Sequence, residues 1–315
     1  MKIVKNVIFG IGLIFIAGIF INSASKKNTS STSNKPAEKL VDTTYVEKYK
    51  VYALTLPTNL RLADELVPVS DPDVKERIDR EFLVNTYWQS NGFLMFKRAH
   101  KYFPIIEKIL AEEGVPDDFK YLAVIESGLT NAVSPAGARG FWQIMKTTGR
   151  EYGLEINGNV DERYHLEKAT RVACKYLKKA KAKLGSWTLA AAAYNAGMTG
   201  MSKRLAKQKV TTYYDLLLGS ETSRYVPRIV AVKYIMMQPH QFGYNFSDND
   251  LYAPIPTRTI SITKPILNMA DFAQKYGINY KILKLHNPWL REGHLNNKSG
   301  RLYEIEIPQK EYYNK

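Results

Sequence analysis

The stretch Tyr121–Met145, YLAVIESGLTNAVSPAGARGFWQIM, sets a carboxylate at the end of an apolar run and follows it with a glycine-rich loop. Ahead of it, Pro116 suits the first turn of a helix, where its missing N–H costs nothing, and Asp117 and Asp118 put negative charge at the positive end of the helix dipole. Phe119, Leu122, Ala123 and Glu126 then recur at helical spacing, so Glu126 shares a face with residues that point into a core, and Gly128 supplies the stop. A carboxyl group among apolar neighbours is costly to ionise, keeps its proton to higher pH and can donate it. The competing reading leaves Glu126 solvated at a fraying helix end.

Ser127 follows directly. The run Ser134-Pro135-Ala136-Gly137-Ala138-Arg139-Gly140 is made of small residues that let another molecule approach the backbone, and Phe141, Trp142 and Gln143 close it with aromatic faces beside an amide, as a sugar-binding cleft requires. Further on, Ala190–Gly197 reads AAAAYNAG: the alanines allow close helix contact, and Tyr194 and Asn195 present polar tips before Gly197 breaks the helix. Glu221-Thr222-Ser223-Arg224-Tyr225-Val226-Pro227 comes later still.

Taken in this order, Glu126-Ser127, Gly140-Phe141-Trp142-Gln143, Ala193-Tyr194-Asn195-Ala196-Gly197, and Glu221-Thr222 with Tyr225-Val226 resemble the catalytic domain of the soluble-type (SLT) lytic transglycosylases of peptidoglycan, a lysozyme-like family, and in particular its membrane-bound murein transglycosylase D type. The resemblance covers residues 103–237. It implies an all-helical catalytic domain with Glu126 as general acid and base. Ser127, Ser134, Gln143, Tyr194, Asn195 and Tyr225 would lie near the saccharide, the Met145 backbone would line the cleft, and Glu221 would be a supporting carboxylate. Phe141-Trp142 stands where many relatives carry smaller or more flexible apolar residues, and Ser223 where the related motif has arginine; both bear on subsite preference rather than on the reaction.

Glycoside cleavage usually employs two carboxylates flanking the bond. Between Ser127 and Arg150 there is neither Asp nor Glu, and Glu221 is remote in sequence. One acid suffices if the substrate attacks itself, because proximity makes that step efficient. The resemblance implies this route: Glu126 protonates the β-1,4 bond between N-acetylmuramic acid and N-acetylglucosamine, then takes the proton of the muramic acid C6 hydroxyl, leaving a 1,6-anhydro end. A hydrolytic muramidase of the same fold and a non-catalytic peptidoglycan-binding protein are the alternatives.

The 315 residues, 45% of them hydrophobic, can bury a sizeable core in two domains. Lys2 and Lys5 precede an uncharged apolar run from Val7 to Ile21, with small residues at Ser23, Ala24 and Ser25; residues 1–25 are a signal peptide or, uncleaved, an N-terminal membrane anchor. The expected location is exported, periplasmic or cell-envelope. Cys174 is the only cysteine, so there is no disulfide framework, and its helical setting predicts a packed thiol. The net charge of +15 suits a polyanionic environment such as the cell wall, though part of it reads as solvated helix faces, as in KYLKKAKAKLG. No nucleic-acid-binding motif is present. The five histidines, His100, His165, His240, His286 and His294, lack metal-ligand spacing, and GARG lacks the spacing and lysine of a phosphate loop, so neither metal nor diffusible cofactor is implied. Nothing in the sequence sets an oligomeric state.

Residues 26–45, rich in Ser, Thr, Asn and Lys, read as a flexible linker, and 46–102 as an extended and helical region packing on a catalytic domain at 103–240. Val46–Leu56 suits a strand or an extended wrap. Helices are expected over Asp73–Asn91, Leu94–Glu113, Gln143–Tyr152, Leu166–Leu184, Ser186–Ala196 and Thr222–Gln238, with Phe82, Tyr87, Trp88, Phe93 and Phe96 as core aromatics. Residues 241–257 read as a linker. Beyond it, strand Arg258–Thr263, helices Met269–Tyr276 and Tyr280–His286, and strand Tyr303–Ile307 make a small βααβ unit at 258–310. Phe272-Ala273-Gln274-Lys275-Tyr276-Gly277, Leu285-His286-Asn287-Pro288 and Tyr303–Pro308 resemble a LysM domain, which implies glycan binding; Ile266-Leu267-Asn268 replaces the usual Gly-Asp, and a purely scaffolding role is the alternative.

Overall fold

In the structure, a computed structural model, residues 51–309 and 312–313 are described. The signal or anchor at 1–25, the linker at 26–45 and the beginning of the extended stretch at 46–56 lie outside the described residues. Among the described residues no helix is long and apolar enough to cross a membrane.

A two-residue hairpin, β1 (Arg61–Leu62) with β2 (Glu65–Leu66), precedes a helical body. Its helices are α1 (Pro72–Tyr87), α2 (Gln89–Glu112), α3 (Lys120–Ser127), α4 (Lys146–Glu151), α5 (Leu166–Leu184), α6 (Trp187–Ala196), α7 (Met198–Gln208) and α8 (Ser220–Met237). The unit that follows is β3 (Thr257–Ile262), α9 (Met269–Lys275), α10 (Tyr280–His286) and β4 (Tyr303–Pro308), the strands pairing antiparallel from Thr257↔Pro308 to Ile262↔Tyr303. The fold is therefore mainly α with a small βααβ module.

α8 is the spine of the body. Val226, Ile229, Val230 and Ala231 are fully buried, against α1 through Ile78 and Phe82 and against α3 through Leu122 and Ala123, all likewise fully buried. Burying each of the large side chains stabilises by about 1.5–3 kcal/mol before entropy is subtracted. Asp118, expected as a helix-dipole charge, instead accepts from the Ala63 N–H at 2.6 Å and from Lys233 Nζ at 2.7 Å, tying the hairpin to α8. The α-helix begins only at Lys120, after a 3₁₀ turn at Asp117–Phe119.

Three helix boundaries differ from expectation. α2 starts at Gln89 and runs through Gly92, where an added Cβ would sit 2.0 Å from the Tyr244 hydroxyl; the glycine admits a packed ring rather than breaking the helix. The helix expected from Gln143 begins at Lys146, because Gln143 takes φ +45° and Ile144 bridges back to Arg139. α7 follows Gly197 immediately and had no counterpart in the sequence reading: Gly197 turns the chain, and one apolar residue, Met201, is fully buried on its far side.

Residues expected as a linker are seated on the body. Phe242 and Tyr244 are buried, the Tyr244 hydroxyl donates to the Asn85 and Thr86 carbonyls at 3.1 Å, and Phe246 packs on Phe93 and Phe96 with centroids 5.6 and 5.0 Å away. The βααβ module is also seated. Its core of Met269, Leu283, Leu290, Leu295 and Ile305 includes Val160 and Tyr164 from the helical body. The Asp161 N–H donates to the Trp289 carbonyl and the Arg291 N–H to the Asn159 carbonyl, both at 2.9 Å, and the Tyr303 hydroxyl donates to Glu155 at 2.9 Å.

A chain ending at residue 256 would expose Val160 and Tyr164, a loss of about 3 kcal/mol. Calorimetry should show its melting temperature lowered by roughly 6 °C or more relative to the full chain.

Candidate active site

Glu126 lies in the last turn of α3. Gly128 ends that helix at φ +59°, its N–H bonding the Val124 carbonyl at 2.7 Å, and Arg98 Nη1 covers the Gly128 carbonyl at 2.9 Å. The stop therefore holds Glu126 at the edge of a 550 Å³ cleft that is also lined by Arg80, Glu81 and Trp88 from α1 and its end, and by Arg224 and Arg228 from α8. Glu126 is half-buried and Tyr225 is 4% exposed; the Tyr225 hydroxyl donates to Glu126 Oε1.

Burial is the main influence on the Glu126 carboxyl and pushes it up from 4.5 to about 7. The Tyr225 hydrogen bond opposes this, Glu221 adds to it by like charge, and Arg228 opposes it. The hydroxyls of Tyr194 and Tyr225 are themselves held far above their ordinary range by burial and by the neighbouring Glu126, so they stay neutral donors. A carboxyl that is about half protonated near neutrality, beside a neutral donor, can give a proton and take one back.

A second polar cluster forms around Glu221, whose charge acts on Glu126. Asn195, at the end of α6, donates through Nδ2 to Glu221 Oε1 at 3.1 Å and accepts from Thr222 Oγ1 at 2.8 Å, which fixes both faces of the amide. The Tyr213 hydroxyl donates to the carbonyls of Thr222 and Ser223 at 2.8 Å, and Ser223 Oγ reaches the Ser220 carbonyl at 3.2 Å.

The loop residues also carry hydrogen bonds within the body. The Ser127 hydroxyl donates to the Phe141 carbonyl at 2.8 Å, pinning the loop to the end of α3, and Ser127 lines the Glu126 cleft. Ser134 Oγ accepts from the Ala138 N–H at 3.0 Å inside the turn. Gln143 Nε2 donates to the carbonyls of Ala132 and Gly140 at 3.0 and 2.8 Å, which leaves only its Oε1 for another molecule. The Tyr194 hydroxyl donates to the Trp142 carbonyl at 2.8 Å. Trp142 is fully buried with its Nε1 on Thr170 Oγ1 at 2.8 Å, and Phe141 is buried as well, so these rings belong to the core and are not the exposed sugar platform their sequence position suggested. The Met145 side chain is 42% exposed at the loop's exit.

Spacing along one segment did not reveal the cleft's charged wall. Arg228 follows Tyr225 by one helical turn and could have been found that way. Glu81 could not, although it is 1% exposed and pairs with Arg80 and with Arg228 Nε, the latter at 3.1 Å. Among the described residues no group of His, Cys, Asp and Glu is arranged to hold a metal ion. Cys174 is buried and its thiol is pushed up to about 12 by burial, which leaves it unreactive.

With a folded-state pKa near 7 against 4.5 in the unfolded chain, Glu126 binds more protons when folded. Its contribution is therefore harmless at low pH and turns into a growing cost as pH rises from the unfolded value through the folded one. Glu126→Gln removes that cost. Thermal denaturation should show the variant more stable than the parent by up to about 3 kcal/mol near pH 8, with the difference vanishing near pH 4.

Residues 103–216 match the family described as Transglycosylase SLT domain, and residues 258–311 match the Soluble lytic transglycosylase C-terminal LysM-like domain. The Membrane-bound lytic murein transglycosylase D of Escherichia coli strain K12 is 30% identical over 219 residues, which cover 68% of this chain and 47% of the relative. The protein of that name from strain O6:H1 matches to the same extent. The chain thus spans about half the length of the curated relatives it matches. Among solved structures, the 70 kDa soluble lytic transglycosylase of Escherichia coli is 19% identical with a TM-score of 0.37, covering 49% of this chain and 27% of that one. An inactive mutant of lytic transglycosylase Slt from Pseudomonas aeruginosa is 21% identical with a TM-score of 0.38, covering 52% and 27%. By its sequence, this chain is similar to the lytic murein transglycosylases, with an SLT domain match at residues 103–216 and a match to the LysM-like domain of the soluble lytic transglycosylases at residues 258–311.

Proposed function

We propose that this protein is a peptidoglycan lytic transglycosylase with Glu126 as its general acid and base. The observation that carries this reading is the desolvated Glu126 carboxyl, raised to about 7 and bonded by the Tyr225 hydroxyl on the wall of a cleft. In the proposed reaction Glu126 gives its proton to the oxygen of the β-1,4 bond between N-acetylmuramic acid and N-acetylglucosamine, and the bond from C1 to that oxygen breaks. The muramic acid C6 oxygen then attacks C1, and its proton passes to the Glu126 carboxylate. The ring closes as a 1,6-anhydro sugar, no water is consumed and the acid is regenerated. Every proton is handled by one side chain, so the step calls for no diffusible cofactor.

Supporting roles follow from the hydrogen bonds. Tyr225 steadies the carboxylate form; Asn195, held by Glu221 and Thr222, and the free Oε1 of Gln143 would meet the sugar's acetamido and hydroxyl groups. Ser127, Ser134 and Tyr194 keep the loop in shape, and the Met145 backbone would line the cleft. We also propose the division into residues 46–102, a catalytic domain at 103–240 and a module at 258–310. Residues 1–25 would export the chain to the cell envelope, where peptidoglycan glycan strands are the partner and an uncleaved segment would anchor it to the membrane.

Hydrolysis by the same fold has one observation in its favour, since Glu221 is close enough to act on Glu126 electrostatically. The Asn195 hydrogen bond occupies that carboxylate. Mass spectrometry of products from purified peptidoglycan separates the two: anhydro ends are expected, and hydrated reducing ends would assign a muramidase instead. Glu126→Gln should fold normally and lower the cleavage rate by at least about a thousandfold; substantial residual lysis would remove Glu126 from its assigned role.

A further inference from the structure

The cationic face of α7 takes no part in the proposed reaction, and none of its residues lines the Glu126 cleft. Lys203, Arg204 and Lys207 are exposed and fall within an arc of about 100° on the helix, while Met201 and Leu205 pack on the core. Lys209 follows at the helix end and is exposed as well. Among the described residues none of these four cations is in an ion pair, whereas Arg171, Lys178 and Lys179 on α5 pair with Glu112, Glu113 and Glu151. Few negative charges offset them from a distance. α7 packs on α5 and α6; α6 contains no acid and α5 only Glu167, in its first turn. From Gly197 to Ser220 the one acid is Asp215, which accepts from Thr212 Oγ1 at 2.6 Å, and Glu221 beyond it accepts from Asn195.

An apolar side chain stands beside these charges. Leu217 is 85% exposed, between the buried Leu216 and the part-buried Leu218. Its backbone is clamped to α7: Gln208 Nε2 donates to the Leu217 carbonyl at 3.0 Å, and the Leu217 N–H donates to Gln208 Oε1 at 2.8 Å. Gln208 lies one turn after Arg204 and adjoins Lys207, so the clamp sets Leu217 at the edge of the cationic arc. One exposed leucine is ordinary by itself. A leucine held outward by two hydrogen bonds next to four unpaired cations offers two kinds of contact at once. Anionic lipid surfaces use both, since headgroup phosphates attract Lys and Arg and the acyl boundary takes up apolar side chains. A soluble polyanion would use the cations alone.

We propose that α7 and Leu217 form a docking face for an anionic phospholipid membrane, with Lys203, Arg204, Lys207 and Lys209 meeting headgroup phosphates and Leu217 inserting between the headgroups. The face is separate from residues 1–25 and works independently of the reaction proposed above. Its attraction is electrostatic first, so it weakens as salt screens the phosphates.

Fluorescence of a single label on the full chain tests this. Cys174 is the only cysteine and is buried, so Leu217→Cys supplies one accessible thiol at the face. Labelled there with an environment-sensitive apolar fluorophore, the protein should brighten and shift to the blue with vesicles rich in phosphatidylglycerol, and not with vesicles of phosphatidylcholine alone. The same label at Leu267→Cys, an 89% exposed position of the βααβ module, should not respond, which separates docking of α7 from attachment through residues 1–25. Adding Lys203→Ala, Arg204→Ala and Lys207→Ala to the labelled protein should weaken docking about a hundredfold and abolish the response. Silence at position 217 with anionic vesicles, equal responses to the two lipids, equal responses at 217 and 267, or a response that survives the triple change overturns the docking face. The same brightening with inorganic polyphosphate in place of vesicles assigns the face to a soluble polyanion and overturns the membrane as its partner.

Discussion

Packing of α3 against α8 is the constraint from which the candidate chemistry follows. The contact buries Leu122 and Ala123 on one side and Val226, Ile229 and Val230 on the other, and it carries Glu126 and Tyr225 into the same partly water-excluded space. Desolvation is the main cause of the raised carboxyl, with Glu221 adding to it; the Tyr225 hydroxyl and the Arg228 charge pull it back. Arg228 is in turn held by Glu81, a carboxylate that reaches the interior with its charge paired twice. The helix α1, which precedes the SLT region in sequence, is therefore part of the electrostatic surroundings of the acid.

The segment 155–164 links the substrate loop to the module. Arg163 is 3% exposed, pairs with Asp161 at 2.8 Å and donates to the carbonyls of Gly137 and Ile144 at 3.0 and 3.3 Å, so it braces the loop from behind. A Cβ on Gly140 would lie 2.0 Å from the Arg163 carbonyl, and its φ of +79° suits glycine. The neighbouring residues Asn159, Val160, Asp161 and Tyr164 are bonded to or packed in the module. Loop and module thus rest on one segment, residues 155–164.

Part of this was readable from local sequence. The placement of Glu126 on an apolar face, the glycine stop after it, the long helix Leu166–Leu184 and the order of the βααβ unit all follow from periodicity and capping, which act within a turn or two of chain. The misread features share one cause. The break expected between Asn91 and Leu94 is absent, and Trp142 looked like a sugar platform, because the residues that decide them, Tyr244 and Thr170, come from distant segments. Likewise the Ser127 hydroxyl and the Gln143 amide looked free until the fold supplied carbonyls for them.

The amino-acid sequence by itself determined which segments are helical, which of their faces are apolar and that a carboxylate lies on one such face, because each of these depends on neighbours three or four residues away. Only the tertiary structure decided which hydroxyl meets that carboxylate, since Tyr225 lies 99 residues from Glu126, and that the C-terminal module shares its core with the helical body. Hydrogen-bond partners and shared cores are set by the packing of whole elements, and packing is a property of all the surfaces brought together at once.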